Sequence, residues 1–201
     1  MQNVKRNDPG AVLRFITELL SPNVDARIFE IVTFSVLKEF YANQAIYWGW
    51  SPEAVNKEFL MLYKTGRCNA NDGGIDFVMR PLGRFFQVTE TTDVRKYFLD
   101  IDKVQRYPIT FVVKSNDPTN VLLDNIRNQA EHSYGVAKVV ERYMECVEEV
   151  VNIPILLDRL NSVANEGCVA PIMDEIIVQS KVEFNYEDDV VQPWGQSLNS
   201  E

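Results

Sequence analysis

The sequence predicts a mixed α/β fold: a small mixed sheet flanked by helices, with a largely helical C-terminal half. Three observations lead there. Two short apolar runs, IDFVM (75–79) and RFFQVTE (84–90), flank Pro81-Leu82-Gly83 and read as a strand hairpin. VRKYFLDIDKVQRY (94–107) is helical, and the apolar run ITFVVK (109–114) follows it. A strand, a helix and a strand in succession favour a right-handed crossover and a parallel strand pair, covered on both faces.

The elements follow in order. Asp8-Pro9 is a helix start, a capping side chain before proline, and the helix runs to about Leu20, where Ser21-Pro22 breaks it. A second helix spans about Asp25 to Asn43. Ser51-Pro52 starts a third, through KEFLMLYK (57–64), which Gly66 ends, and RCNANDGG (67–74) is a loop. After the hairpin, Pro108 ends the next helix and launches ITFVVK, and Asp117-Pro118 caps a further helix. The chain to about Asn165 reads as mostly helix, interrupted near Gly135 and Pro154. MDEIIVQSKVEFNYEDD (173–189) fits strands or a helix, and the tail from Gln192 reads as loose.

A length of 201 residues suits one domain with a real core. A formal net charge of -9 argues against a surface that grips nucleic acid all over. The acid is concentrated after residue 141, whereas Arg80, Arg84, Arg95, Lys96, Lys103, Arg106 and Lys114 slightly outnumber the acids of segment 80–114. A polyanion is therefore expected near that middle segment. Cys68, Cys146 and Cys168 show no metal-ligand spacing and read as reduced thiols. The single histidine, His132, rules out chemistry that needs two. The polar MQNVKRNDPG start shows no signal peptide, and no apolar run is long enough to span a bilayer, so the expected location is cytoplasmic.

Two features do not fit a plain core. In the second helix, Ser35, Lys38 and Glu39 mark the polar face, whereas Glu30 falls near Phe34, Leu37 and Tyr41. A carboxylate on an apolar face is costly unless it is paired or bound to a cation. In the hairpin, Asp76 follows Gly73-Gly74. A four-residue loop (Pro81 to Arg84) sets Asp76 opposite Thr89, on one face with Gln87; a three-residue loop sets it near Val88 and Glu90. Either register gives Asp76 an oxygen-bearing neighbour. The competing readings are a paired or stripe-edge Glu30 and an Asp76 that merely meets water at a turn.

These residues resemble the catalytic core of the PD-(D/E)XK nuclease superfamily, the fold of most type II restriction endonucleases. The Mrr-like branch carries D-G-G-I-D, a hairpin and Q-x-K, after a helix with F-E-x-[LIV]. Asp72-Gly73-Gly74-Ile75-Asp76 matches the first element, Phe29-Glu30-Ile31-Val32 the helix, and Gln87-Val88-Thr89 lies at Q-x-K. The resemblance covers roughly residues 25–115, a catalytic core within one nuclease domain of 1–201; residues 116–190 are then a mostly helical elaboration and 191–201 a flexible tail. It implies a restriction-endonuclease-like core that hydrolyses phosphodiesters of double-stranded DNA with Mg²⁺. Asp76 with Gln87 or Glu90 would hold the metal, and Glu30 would act through water or hold a second ion. One departure stands out: Thr89 occupies the lysine's place. Glu90 with Thr92 in a shifted register, a lysine from elsewhere (Lys96 or Lys114), or an inactive site would each account for it. The alternative function is a non-catalytic DNA-binding or assembly module.

Arg80, Arg84, Arg95 and Lys96 flank the hairpin as candidate phosphate contacts. Trp48 and Trp50 suggest an aromatic corner. Arg127, Asn128 and Gln129 suit base edges, although nothing in the sequence selects them. Cutting both strands of a palindrome implies a two-fold homodimer, with the helices after Asn120 as interface material.

Overall fold

Aspartate side chains start three of the helices. Asp8, Asp25 and Asp93 accept from the amides of Ala11, Arg27 and Arg95 at 3.1, 2.9 and 3.0 Å, opening α1 (Pro9–Leu19), α2 (Ala26–Ala42) and α3 (Val94–Lys103). The structure, a computed structural model, describes residues 8–68, 75–90 and 93–185. Asp72, Gly73, Gly74, Thr92 and the tail from Gln192 lie outside the described residues.

Helix α2 is central. Every residue from Phe29 to Leu37 is buried, because α1, α6 (Ile153–Asn165), α7 (Val169–Phe184) and the sheet pack around it. Ser35, expected on a polar face, is therefore inside, and its hydroxyl donates to the Ile31 carbonyl at 2.8 Å. Lys38 keeps its place at the edge and pairs with Glu175 at 2.8 Å.

The third predicted helix does not form. The segment instead makes strands β1 (Ala45–Trp48), β2 (Asn56–Phe59) and β3 (Met61–Lys64), with a short 3₁₀ turn at Pro52–Ala54. The period of two was present: Leu60 and Leu62 are buried, while Met61 and Tyr63 face out. Gly49 is required between Trp48 and Trp50, since a Cβ there would stand 2.2 Å from the Ala54 carbonyl oxygen.

The remaining strands are β4 (Phe77–Arg80), β5 (Arg84–Thr89), β6 (Ile109–Val113) and β7 (Val147–Val151). β1 and β2 pair by themselves, and the main sheet runs β3-β4-β5-β6-β7. Its first two pairings are antiparallel and its last two parallel, so the predicted crossover through α3 forms. Alternate residues face opposite layers. Phe77, Phe86 and Val112 pack against α1, α2, α6 and α7, while Phe85, Phe111 and Val113 pack against α3, α4 (Thr119–Tyr134) and α5 (Ala137–Met144).

β7 falls in a stretch read as helix. Its Glu148 and Glu149 hide a strand pattern, and ion pairs from Arg84 at 2.9 and 2.7 Å hold it at the sheet edge. Gly135, in the left-handed region at φ 62°, ends α4 as expected, but Pro154 opens α6 rather than breaking a helix. Asp117 does not cap α4; it accepts from Ser115 Oγ at 3.0 Å. Of the open stretch 173–189, the part up to Phe184 belongs to α7, and residues 186–189 lie outside the described residues. No described helix is long and apolar enough to cross a membrane.

Candidate functional site

A cleft of about 260 Å³ opens at one end of the main sheet, lined by Phe29, Glu30, Val88, Thr89, Glu90 and Lys96. Helix α2 supplies Glu30, the end of β5 supplies Thr89 and Glu90, and the first turn of α3 supplies Lys96. Four sequence-predicted site residues thus line one space.

Asp76 stands immediately beside it, just before β4. Its Oδ2 accepts from the Val88 amide at 2.6 Å, and its own amide donates to the Phe86 carbonyl at 3.0 Å. The β4–β5 ladder pairs Phe77 with Phe86 and Met79 with Arg84, and Asp76 lies just before its first pair. Neither of the two predicted registers is the observed one. Gly83 sits in the left-handed region at φ 67° and donates its amide to Met79 O at 2.9 Å, so the turn closes one residue early.

Gln87 is buried; its Nε2 donates to Val88 O at 3.3 Å, and its Oε1 has no partner among the described residues. Glu90 lies at the exposed rim with its carboxylate held by Lys114, which also donates to the Val24 carbonyl. Of the two lysines considered for the missing one, Lys96 reaches the site: its ammonium donates to Thr89 Oγ1 at 3.4 Å. Lys114 is committed to Glu90 and Val24.

The electrostatics are unusual. Burial, followed by the neighbouring Glu30 carboxylate, pushes Asp76 up to about 7, against partial opposition from the Val88 amide and from Lys64 and Lys96. Buried acids next to a like charge are found at functional sites and in structural ion-pair networks alike. Glu30 is nearly buried and pairs with Lys64 Nζ at 3.0 Å. Sequence reasoning missed Lys64, because it lies on β3, the strand misread as helix. Its signal was the alternation Leu60, Leu62, Lys64, which turns the lysine inward. Burial disfavours the Lys64 charge, but the Cys68 thiol, 3.0 Å away, and Glu30 outweigh it and hold its pKa above the ordinary value. The Cys68 thiol is pushed up to about 12, chiefly by burial, and is not a nucleophile.

The candidate phosphate contacts separate. Arg80 and Arg84 lie at the opposite end of β4–β5 from Asp76, about 13 Å along the strand at about 3.3 Å per residue. Arg84 is further occupied by Glu148, Glu149 and the Thr110 hydroxyl, so it is a structural ion-pair residue and not a free phosphate ligand. Arg95 is exposed beside the cleft and pairs with Asp93 at 2.9 Å. Trp48 and Trp50 pack edge to face with centroids 5.6 Å apart, and Trp50 is almost wholly exposed.

Among the described residues, no three histidine, cysteine, aspartate or glutamate side chains gather as a metal-binding group. The oxygen donors are two carboxylates, Asp76 and Glu30, and the orphan amide oxygen of Gln87. That set fits a hard cation that keeps several waters, such as Mg²⁺. It does not fit a soft metal. Comparisons with protein-family models, with curated proteins and with solved structures found no match.

Proposed function

We propose that this protein is a Mg²⁺-dependent endonuclease that hydrolyses phosphodiester bonds of double-stranded DNA, acting as a type II restriction enzyme. The observation that carries the reading is the Lys96 ammonium at Thr89, close enough to act on the Asp76 carboxyl. An ammonium from α3 would take the part played by the strand lysine in the resembling nucleases.

Asp76 and Gln87 would hold Mg²⁺, with Glu30 acting through water because Lys64 already takes one of its oxygens. Bound Mg²⁺ lowers the pKa of a water and neutralises charge on the phosphate. The protein groups do the rest. Lys96 donates hydrogen bonds to the attacking water and to the non-bridging phosphate oxygens as negative charge builds. Thr89 Oγ1 accepts from Lys96 and aims its ammonium. Lys64 pairs with the Glu30 side chain inside the fold and holds it in place. Asp76 must lose its proton to bind the cation, so activity rises with pH through about 7. Cutting both strands of a palindrome would use a two-fold homodimer.

The test is plasmid DNA incubated with the protein and Mg²⁺, analysed on a gel beside Asp76→Ala. Discrete fragments that Asp76→Ala does not produce support the reading. A mobility shift without cutting supports the non-catalytic module instead, and neither event refutes both.

A further inference from the structure

A second and larger groove, of about 660 Å³, adjoins the candidate cleft. Arg95 lines it from α3, and Asn128, Gln129, His132 and Ser133 line it from α4. The two spaces share the first turn of α3: Lys96 faces the cleft and Arg95 the groove. On α4, Asn125, Asn128, Gln129 and His132 follow helical spacing and form one exposed stripe. Among the described residues, no side-chain hydrogen bond occupies the amides of Asn128 and Gln129 or the imidazole of His132. The only carboxylate lining the groove is Asp93, which caps α3 and is paired with Arg95.

We propose that this stripe of α4, with Arg95, reads base edges in the major groove of the DNA duplex whose backbone enters the neighbouring cleft. The proposal rests on the nuclease reading above. Its chemistry is specific. A major groove about 12 Å wide admits an α-helix; asparagine and glutamine amides bond adenine N6 and N7 in pairs, and arginine bonds guanine O6 and N7. The stripe offers the exposed amides of Asn125, Asn128 and Gln129, and Arg95, which Asp93 holds, faces them from α3. Phosphate contacts alone would call for lysines and arginines here, not amides.

The experiment presents a pool of randomised DNA duplexes with Mg²⁺ and sequences the cut products for wild type, Asn128→Ala, Gln129→Ala and Arg95→Ala. These side chains are exposed on helix surfaces, so the variants should fold, which circular dichroism checks. The expected result is a defined wild-type preference and, in each variant, about a 10- to 100-fold loss of discrimination confined to one or two positions. A wild-type preference that survives all three substitutions overturns the proposal while leaving the nuclease reading intact. A loss spread evenly over all sequences also overturns it, because that marks a phosphate or structural role. So does equal cutting of the matching RNA duplex, whose narrow major groove excludes a helix. If wild type neither cuts nor binds any duplex, the nuclease reading falls and this proposal with it.

Discussion

Replacing Asp76 by asparagine should stabilise the metal-free protein, and only at neutral to alkaline pH. The folded carboxyl titrates at about 7 against an ordinary 3.8. Below pH 3.8 both folded and unfolded chains hold the proton, and the group has no effect. Between 3.8 and about 7 the folded chain holds a proton that the unfolded chain has released, so stability falls as pH rises. Above about 7 both are ionised and the full penalty applies. At about 1.4 kcal/mol per tenfold change, its ceiling is about 4 kcal/mol. Asp76 is partly exposed, and solvent screening brings the expected value to about 2 kcal/mol. Asparagine keeps an oxygen for the Val88 amide, so little else is lost. Urea denaturation across this pH range is the assay: the Asp76→Asn advantage should grow from near zero in acid to about 2 kcal/mol in mild alkali. Mg²⁺ should then raise the stability of wild type and leave the variant unmoved. An advantage that does not change with pH would refute the account of Asp76 as an uncompensated buried acid.

Other substitutions separate roles within the same region. Lys96→Ala should slow cleavage about 100-fold or more with little change in melting temperature, whereas Lys114→Ala should lower the melting temperature and slow single-turnover cleavage far less. Glu30→Met and Lys64→Met should each cost about 3 kcal/mol or more, because each strands a buried charge; the double variant should lose much less than the sum, as a denaturation double-mutant cycle would show. Arg84→Ala should cost about 2 kcal/mol by releasing β7, yet leave DNA affinity in a mobility-shift titration unchanged.

Much of the scaffold was legible because it follows from short-range rules. The Asp8 cap of α1, the helical runs of α2 and α3 and the apolar run of β6 follow from local chemistry, whereas the expected Asp117 cap did not form. Glu30 stood out because a carboxylate on an apolar face needs a partner, but the partner could not be read. Lys64 is 34 positions away on a strand that pairs only with β4 and so forms only in the folded chain. The strand was misread because Leu60, Met61 and Leu62 satisfy helical and strand patterns equally over so short a run. β7 was missed for a related reason, since its acids make sense only beside Arg84 and Arg159.

The sequence by itself determined the order and type of most elements, the placing of Glu30 inside and of Asp76 at a strand entrance, and the absence of a lysine at position 89. These depend on residue type and periodicity over a few neighbours. Only the tertiary structure decided the hairpin register, which turns on a single left-handed glycine at position 83, and that Glu90 is taken by Lys114 while the Gln87 amide oxygen has no partner among the described residues. It alone decided which lysine reaches Thr89, because Lys96 and Lys114 are equally cationic in the sequence. They differ in that the first turn of α3 points Lys96 at the end of β5, while the strand end carries Lys114 to Glu90 and Val24. Register and reach are set by how elements dock, and no local pattern encodes them.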